Sequence, residues 1–103
     1  IIFNNLFKNS IEALEFTSNP SIDIVLKKID KQLILTFFDN GPGYDGNTED
    51  LIKPYFSTKN SSGLGLSLIN KIITDNSYKM NITTNSYSGF KIELIFYDKN
   101  ISN

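Results

Sequence analysis

The apolar run Leu33-Ile34-Leu35-Thr36-Phe37-Phe38 ends on Asp39, and Asn40-Gly41-Pro42-Gly43 follows at once. This junction constrains the fold more than any other stretch. The run reads as a strand, so a carboxylate is delivered at a strand's end. Two glycines beside it let a ligand approach the backbone. Further on, Gly63-Leu64-Gly65-Leu66 opens an apolar run with helical spacing. Free N–H groups at a helix start suit an anion, phosphate above all. A carboxylate that can accept from an amine and an anion cradle, joined by a loop, have the makings of a nucleotide site.

Composition narrows the chemistry. A chain of 103 residues holds one domain with a single core, and 40% hydrophobic and 20% charged residues suit a water-soluble fold. The net charge of −1 gives no electrostatic case for nucleic acid or acidic lipid. All 10 basic residues are lysines, so no guanidinium fork is available. With neither cysteine nor histidine, disulfides, thiolate nucleophiles, Ser-His-Asp triads, His-ligated zinc and a phosphoacceptor histidine are excluded within the chain. No apolar run has the length of a membrane span or the form of a signal peptide. Ile1-Ile2-Phe3 reads as the middle of a helix, and we expect the chain to be a piece of a larger protein.

Residues 1 to 16 are expected to form an amphipathic helix, with Ile2, Leu6, Ile11 and Leu14 as its apolar stripe and Phe3 and Phe7 beside them. Asn5 and Asn9 lie four apart and share a face, which Glu12 extends. Asparagine is a mediocre helix former, though two solvated asparagines in an asparagine-rich chain would give the same pattern. After the Thr17-to-Ser21 loop the period becomes two. Ile22, Ile24 and Leu26 alternate with Asp23, Val25 and Lys27, Asp30-Lys31 turns, and Leu33 to Phe38 returns. A loop over 44–62 contains a short helix at Glu49 to Lys53. A second helix covers Gly63 to Asp75, with Leu64, Leu68, Ile69, Ile72 and Ile73 on one face. Met80 to Thr84 and Phe90 to Phe96 make another hairpin, and 97–103 reads as a frayed tail. The order α-β-β-loop-α-β-β predicts a mainly antiparallel mixed sheet with helices on one face, an α/β (α+β) two-layer sandwich.

Gly41-Pro42-Gly43-Tyr44-Asp45-Gly46 formally matches GxGxxG. The dinucleotide-binding reading fails, because the preceding strand belongs to a hairpin and no helix opens on these glycines. The Walker pattern is absent. What survives is an ordered set: Asn5-x-x-x-Asn9 on a helix, Asp39-x-Gly41-x-Gly43, Tyr55-Phe56-Ser57-Thr58-Lys59, and Gly63-Leu64-Gly65-Leu66. Each part alone is weak, and DxGxG occurs in ordinary turns. Together, in this order, they resemble the catalytic ATP-binding domain of sensor histidine kinases, in the Bergerat-fold superfamily shared with gyrase and MutL. The resemblance runs from about Asn4 to Leu68. Asn5 to Leu14 is similar to the N box, Asp39 to Gly43 to the G1 box, Pro54 to Lys59 to the F-box region, and Gly63 to Leu66 to the G2 box.

The resemblance implies ATP and Mg²⁺ as ligands. Asp39 would accept from the adenine exocyclic amine, with Gly41 and Gly43 keeping the loop close to the base. Asn9 would give its amide oxygen to Mg²⁺, and Asn5 would support the same region. Lys59 would bring charge to the phosphates, and N–H groups around Gly63 and Gly65 would hold their oxygens. Tyr44, Thr58, Ser62, Leu64 and Leu66 fall on the same nucleotide-facing segments, and Phe56 would pack the loop down. Asn5 and Glu12 are the candidates for supporting catalysis, with no certain catalytic residue in the chain.

The family resemblance also bears on the reaction. Hydrolysing relatives carry a water-activating glutamate one turn before the metal-binding asparagine; here Asn5 stands there, and its amide is no base. The implied activity is therefore a protein-histidine kinase, half of which is in this chain. The acceptor would be a histidine-bearing dimerisation domain of the same full-length protein. A response regulator would be an indirect partner, the location would be cytoplasmic, either free or as the cytoplasmic part of a membrane-bound sensor, and the fragment itself would touch neither nucleic acid nor membrane. Three departures stand out. Glu12 replaces a phosphate-contacting lysine of many relatives. Ser61-Ser62 replaces the usual Gly-Thr, with the preceding segment about one residue short. The N-box helix begins at Ile1 without the elements that usually precede it. A non-catalytic nucleotide-binding or partner-docking module, which Glu12 and the short segment favour, and a gyrase- or MutL-like ATPase clamp remain as alternatives.

Overall fold

A computed structural model of the chain describes residues 2–54, 56, 65–85, 87 and 89–97. Two helices lie on one face of a four-stranded sheet. In chain order the elements are α1 (Ile2–Ala13), β1 (Ile22–Ile29), β2 (Gln32–Asp39), a short 3₁₀ helix (Thr48–Ile52), α2 (Gly65–Asp75), β3 (Lys79–Asn85) and β4 (Gly89–Tyr97). The strands order as β1-β2-β4-β3, and all three pairings are antiparallel.

Both hairpins form where turn chemistry puts them. Ile29 faces Gln32 across the Asp30-Lys31 turn, with Asp30 at φ 53, a left-handed conformation that aspartate tolerates. At the other hairpin Asn85 faces Gly89. Between the hairpins, β2 pairs with β4 in a register that sets Leu35 opposite Leu94, Phe37 opposite Ile92 and Asp39 opposite Phe90. Side chains alternate along a strand, so Leu35, Phe37 and Asp39 share the face under the helices.

That face carries the core. Leu6 of α1, Ile69 and Ile73 of α2, Phe37, Ile92 and Leu94 form one buried cluster, edged by Ile2, Leu35, Leu66, Met80, Ile82 and Phe90 among others. On α2, Leu66, Ile69 and Ile73 follow the i, i+3, i+7 spacing of a single helix face. Leu68 lies about 100° around the helix from Ile69 and is exposed, unlike its expected place on the apolar face. The helix ends with Ser77 at φ 60. Ser77 N–H donates to Thr74 O at 3.1 Å and Tyr78 N–H to Ile73 O at 2.9 Å, a Schellman closure with serine in the usual glycine position.

On α1 the inward line differs from the expected stripe. Leu6 and Leu14 are buried and Ile2 packs against the core, but Ile11 is 52% exposed and Ser10 is buried in its place. Four-residue steps from Ile2 through Leu6 lead to Ser10, which leaves Ile11 a helical step, about 100°, to one side. Phe3 and Phe7 stack on that flank with centroids 6.1 Å apart, and Phe3 meets Phe37 edge-on at 5.2 Å. The helix also stops at Ala13 rather than running to residue 16. The strands extend a residue or so beyond expectation, with Tyr97 closing β4. Gly63 and Leu64 of the expected second helix and residues 98–103 of the expected tail lie outside the described residues.

Leu94 is fully buried in the cluster whereas Leu26, on edge strand β1, is 62% exposed. Leu94→Ala should cost about 2–5 kcal/mol of stability in denaturant unfolding, and Leu26→Ala under about 1 kcal/mol.

Candidate functional site

Asp39 is the last residue of β2 and only 3% exposed. Its Oδ1 accepts the Gly41 N–H at 3.0 Å, so the carboxylate folds the glycine loop back over itself. Gly41 is buried too: a Cβ there would lie 3.0 Å from Asp39 Oδ1 and 3.2 Å from Ala13 O at the end of α1. Glycine is needed here for close approach rather than for an unusual φ. Gly43 differs, with φ at 66 and its missing Cβ aimed at the carbonyls of Asn85 and Gly89. The loop is thus wedged between the end of α1 and the β3–β4 turn.

The other predicted pair meets the second helix. A Cβ on Gly65, the first residue of α2, would lie 3.3 Å from both Asn9 amide atoms and 3.7 Å from Asn5 Oδ1. Asn5, Asn9 and Ala13 follow one another at four-residue intervals along one face of α1. The helix rises 1.5 Å per residue, so the Asn9 and Ala13 positions are about 6 Å apart along its axis. The asparagine amides therefore neighbour the start of α2, while the Asp39 loop neighbours α1 one turn further on, at Ala13. No acidic residue stands in the first turn of α2. Its leading N–H groups consequently face no carboxylate of their own turn, which leaves them suited to an anion.

Tyr44 and Phe56 meet edge-to-face at 5.7 Å, with the Tyr44 ring over Gly46. Beside them the 3₁₀ helix is capped by Asn47, whose side chain accepts Glu49 N–H at 3.0 Å. Lys53 donates to Asp50 at 2.7 Å. That hydrogen bond, with the Asp50 charge, holds the Lys53 ammonium above its ordinary pKa, on an exposed side chain where the pair's worth to stability is small. Leu66 turns its side chain into the core cluster, so what it can offer a ligand is backbone. Glu12 is half-buried and stands 4.0 Å from Lys8 Nζ. Thr58, Lys59, Ser62, Gly63 and Leu64 lie outside the described residues.

Sequence reading missed four participants. Ala13 meets Gly41, as above. Gly89 is buried at φ 81, with its missing Cβ against the Asp39 carbonyl and 3.2 Å from Asn40 Cα. Asn40 brackets the loop from the other side: its Oδ1 accepts Ser21 N–H at 2.7 Å and its Nδ2 donates to Asn19 O at 2.9 Å. Thr84 bonds to Tyr44 and Gly89. Only Gly89 carried a local signal, as the glycine at a hairpin's return. A shallow apolar dent of about 380 Å³ lined by Ile11, Leu14, Pro20, Ser21 and Ile22 includes none of the predicted site residues. Among the described residues no three acidic or histidine side chains gather to hold a metal.

Residues 1–100 match the family model described as histidine kinase-, DNA gyrase B-, and HSP90-like ATPase. The chain belongs to this family. The nucleotide-free catalytic domain of histidine kinase ThkA superposes with a TM-score of 0.79 at 28% identity, covering 94% of this chain and 64% of that one. The mycobacterial sensor histidine kinase MprB shares the fold, with a TM-score of 0.77 at 17% identity over 93% of this chain and 67% of its own. A putative sensor protein of Shewanella frigidimarina is 34% identical over 97 residues, 89% of this chain and 14% of that protein. The C4-dicarboxylate transport sensor protein DctB of Rhizobium meliloti is 32% identical over 73 residues, 69% of this chain and 12% of that protein. The chain thus spans about a seventh or less of these curated relatives. No helix among the described residues is long and apolar enough to cross a membrane.

In this histidine kinase-like ATPase domain, the packing around Gly89 supports the loop that Asp39 begins. Gly89→Ala would force a left-handed alanine against the Asp39 carbonyl. Thermal unfolding should show a loss of at least about 1–3 kcal/mol.

Proposed function

We propose that residues 1–103 form one catalytic domain that binds ATP with Mg²⁺ and passes the γ-phosphoryl group to a histidine on a separate dimerisation domain. The observation that carries this reading is the shared face of α1, where Asn5 and Asn9 meet Gly65 while Ala13 meets the Asp39 loop. A ligand with a base at one end and phosphates at the other fits such a layout.

In this reading Asp39 accepts from the adenine exocyclic amine, an interaction that guanine, with a carbonyl there, lacks. Its other commitment, the bond to Gly41 N–H, keeps the carboxylate aimed. The first N–H groups of α2 take phosphate oxygens, helped by Lys59 of the connecting segment. Asn9 offers a neutral amide oxygen to the metal, with Asn5 beside it. With no acidic cluster among the described residues, the donor set suits a cation that arrives already held by phosphates. The bound metal would supply charge neutralisation on the β- and γ-phosphates.

Transfer then needs positioning more than covalent chemistry from this chain. An imidazole nitrogen of the partner histidine forms the new N–P bond, the bond from the γ-phosphorus to the bridging oxygen breaks, and ADP leaves with that electron pair. The chain has no histidine, so the acceptor must come from elsewhere. Asn5 stands where a hydrolytic member would need a carboxylate, which argues against an ATPase clamp. Glu12, on the face of α1 near Asn9, favours the second reading of a non-catalytic nucleotide-binding module.

Calorimetric titration with ATP–Mg²⁺ tests the assignment. Asp39→Asn should weaken binding at least about tenfold, because the amide turns a donor toward a donor; unchanged affinity would refute the adenine contact. The chain alone should hydrolyse ATP very slowly, and labelled ATP should mark a histidine only when a dimeric histidine-bearing domain is added. Binding without such label would select the non-catalytic module.

A further inference from the structure

The β3–β4 hairpin abuts the glycine loop, and one hydroxyl ties the two together. Thr84, half-buried near the end of β3, donates to Gly89 O at 2.7 Å. The same oxygen accepts Tyr44 N–H at 2.9 Å from 40 residues away. A hydroxyl has one proton and two lone pairs, so both bonds can be made at once. The hairpin takes the proton and the loop supplies one.

Residues 40 to 47 belong to no helix or strand, so this loop has no ladder of its own to fix it. Its start is held by Asp39 through Gly41 N–H, and its middle by the close fit of Gly43 against Asn85 and Gly89. Beyond Gly43 the bond from Tyr44 N–H ties the chain back to β3. That bond also sets where the Tyr44 ring stands against Phe56.

We propose that Thr84 is a positioning residue for nucleotide binding: its hydroxyl fastens Tyr44 to the β3–β4 turn and so holds the Gly41–Tyr44 loop in its ligand-ready shape before ATP arrives. The inference rests on the ATP-binding reading above. The sheet thereby acts on the base end of the site through a residue that touches no ligand. Without the bond, each binding event must order the loop afresh, and that cost appears as lost affinity.

The test compares Thr84→Val, which keeps the shape and removes the hydroxyl, with Thr84→Ser, which keeps the hydroxyl. Thr84→Ala serves as a second hydroxyl-free variant in case one of the two fails to fold. Each 103-residue chain is titrated with ATP–Mg²⁺ at a temperature where circular dichroism shows it folded. Val and Ala should bind about tenfold more weakly, and Ser within about threefold of the parent. Amide exchange at Tyr44 should quicken in Val and Ala while Ile92 and Leu94 in β4 keep their protection. Wild-type affinity in the hydroxyl-free variants, or a loss in Ser as large as in Val, overturns the proposal. Asp39→Asn separates the two readings. If the parent binds and Asp39→Asn does not, but Thr84→Val binds like the parent, the positioning role alone is wrong. If the parent itself does not bind ATP, the nucleotide reading falls and the proposal with it.

Discussion

A carboxylate taken out of water must be compensated, and the architecture of this domain follows from where that compensation is found. Asp39 is 3% exposed at the end of the central strand β2. One oxygen is committed to Gly41 N–H, and the backbone around it is closed in by Ala13 of α1 and Gly89 of β4. Glycine is required at positions 41 and 89, because a Cβ there would crowd the Ala13 and Asp39 carbonyls. The strand pairing β2–β4 brings Gly89 to that place, and the core cluster of Leu6, Phe37, Ile69, Ile73, Ile92 and Leu94 holds helices and sheet around it.

The first helix does two jobs with two faces. Its inward line through Ile2, Leu6 and Leu14 anchors it to the sheet. Its Asn5, Asn9 and Ala13 line serves as a ruler between the start of α2 and the Asp39 loop. Because one rigid element carries both contacts, the separation between the start of α2 and the Asp39 loop is set by helix geometry rather than by loop length.

Local elements were legible in the sequence because apolar periodicity changes cleanly from helical to strand-like at Ser21, and because Asp30-Lys31 and the Asn85-to-Gly89 segment carry turn residues. The inward line of α1 was misread at one point, where a small Ser10 is buried and a larger Ile11 is not. The central place of β4, between β2 and β3, could not be read from hairpins, which reveal only neighbours in sequence. Likewise the approach of Gly65 to Asn5 and Asn9 could not be read from spacing; the family resemblance implied only that these residues serve the same end of a ligand. The bond between Tyr44 and Thr84, 40 residues apart, left no trace in composition at either residue.

In the proposed function, one face of α1 carries both ends of a nucleotide site. The most direct measurement is a ¹⁵N-resolved NMR titration with ATP–Mg²⁺. The side-chain amides of Asn5 and Asn9 and the backbone amides of Gly41, Gly43 and Gly65 should shift together, along one binding curve, while guanine nucleotide leaves Gly41 and Gly43 largely unmoved. Shifts confined to one end, or centred on residues remote from α1, would contradict it.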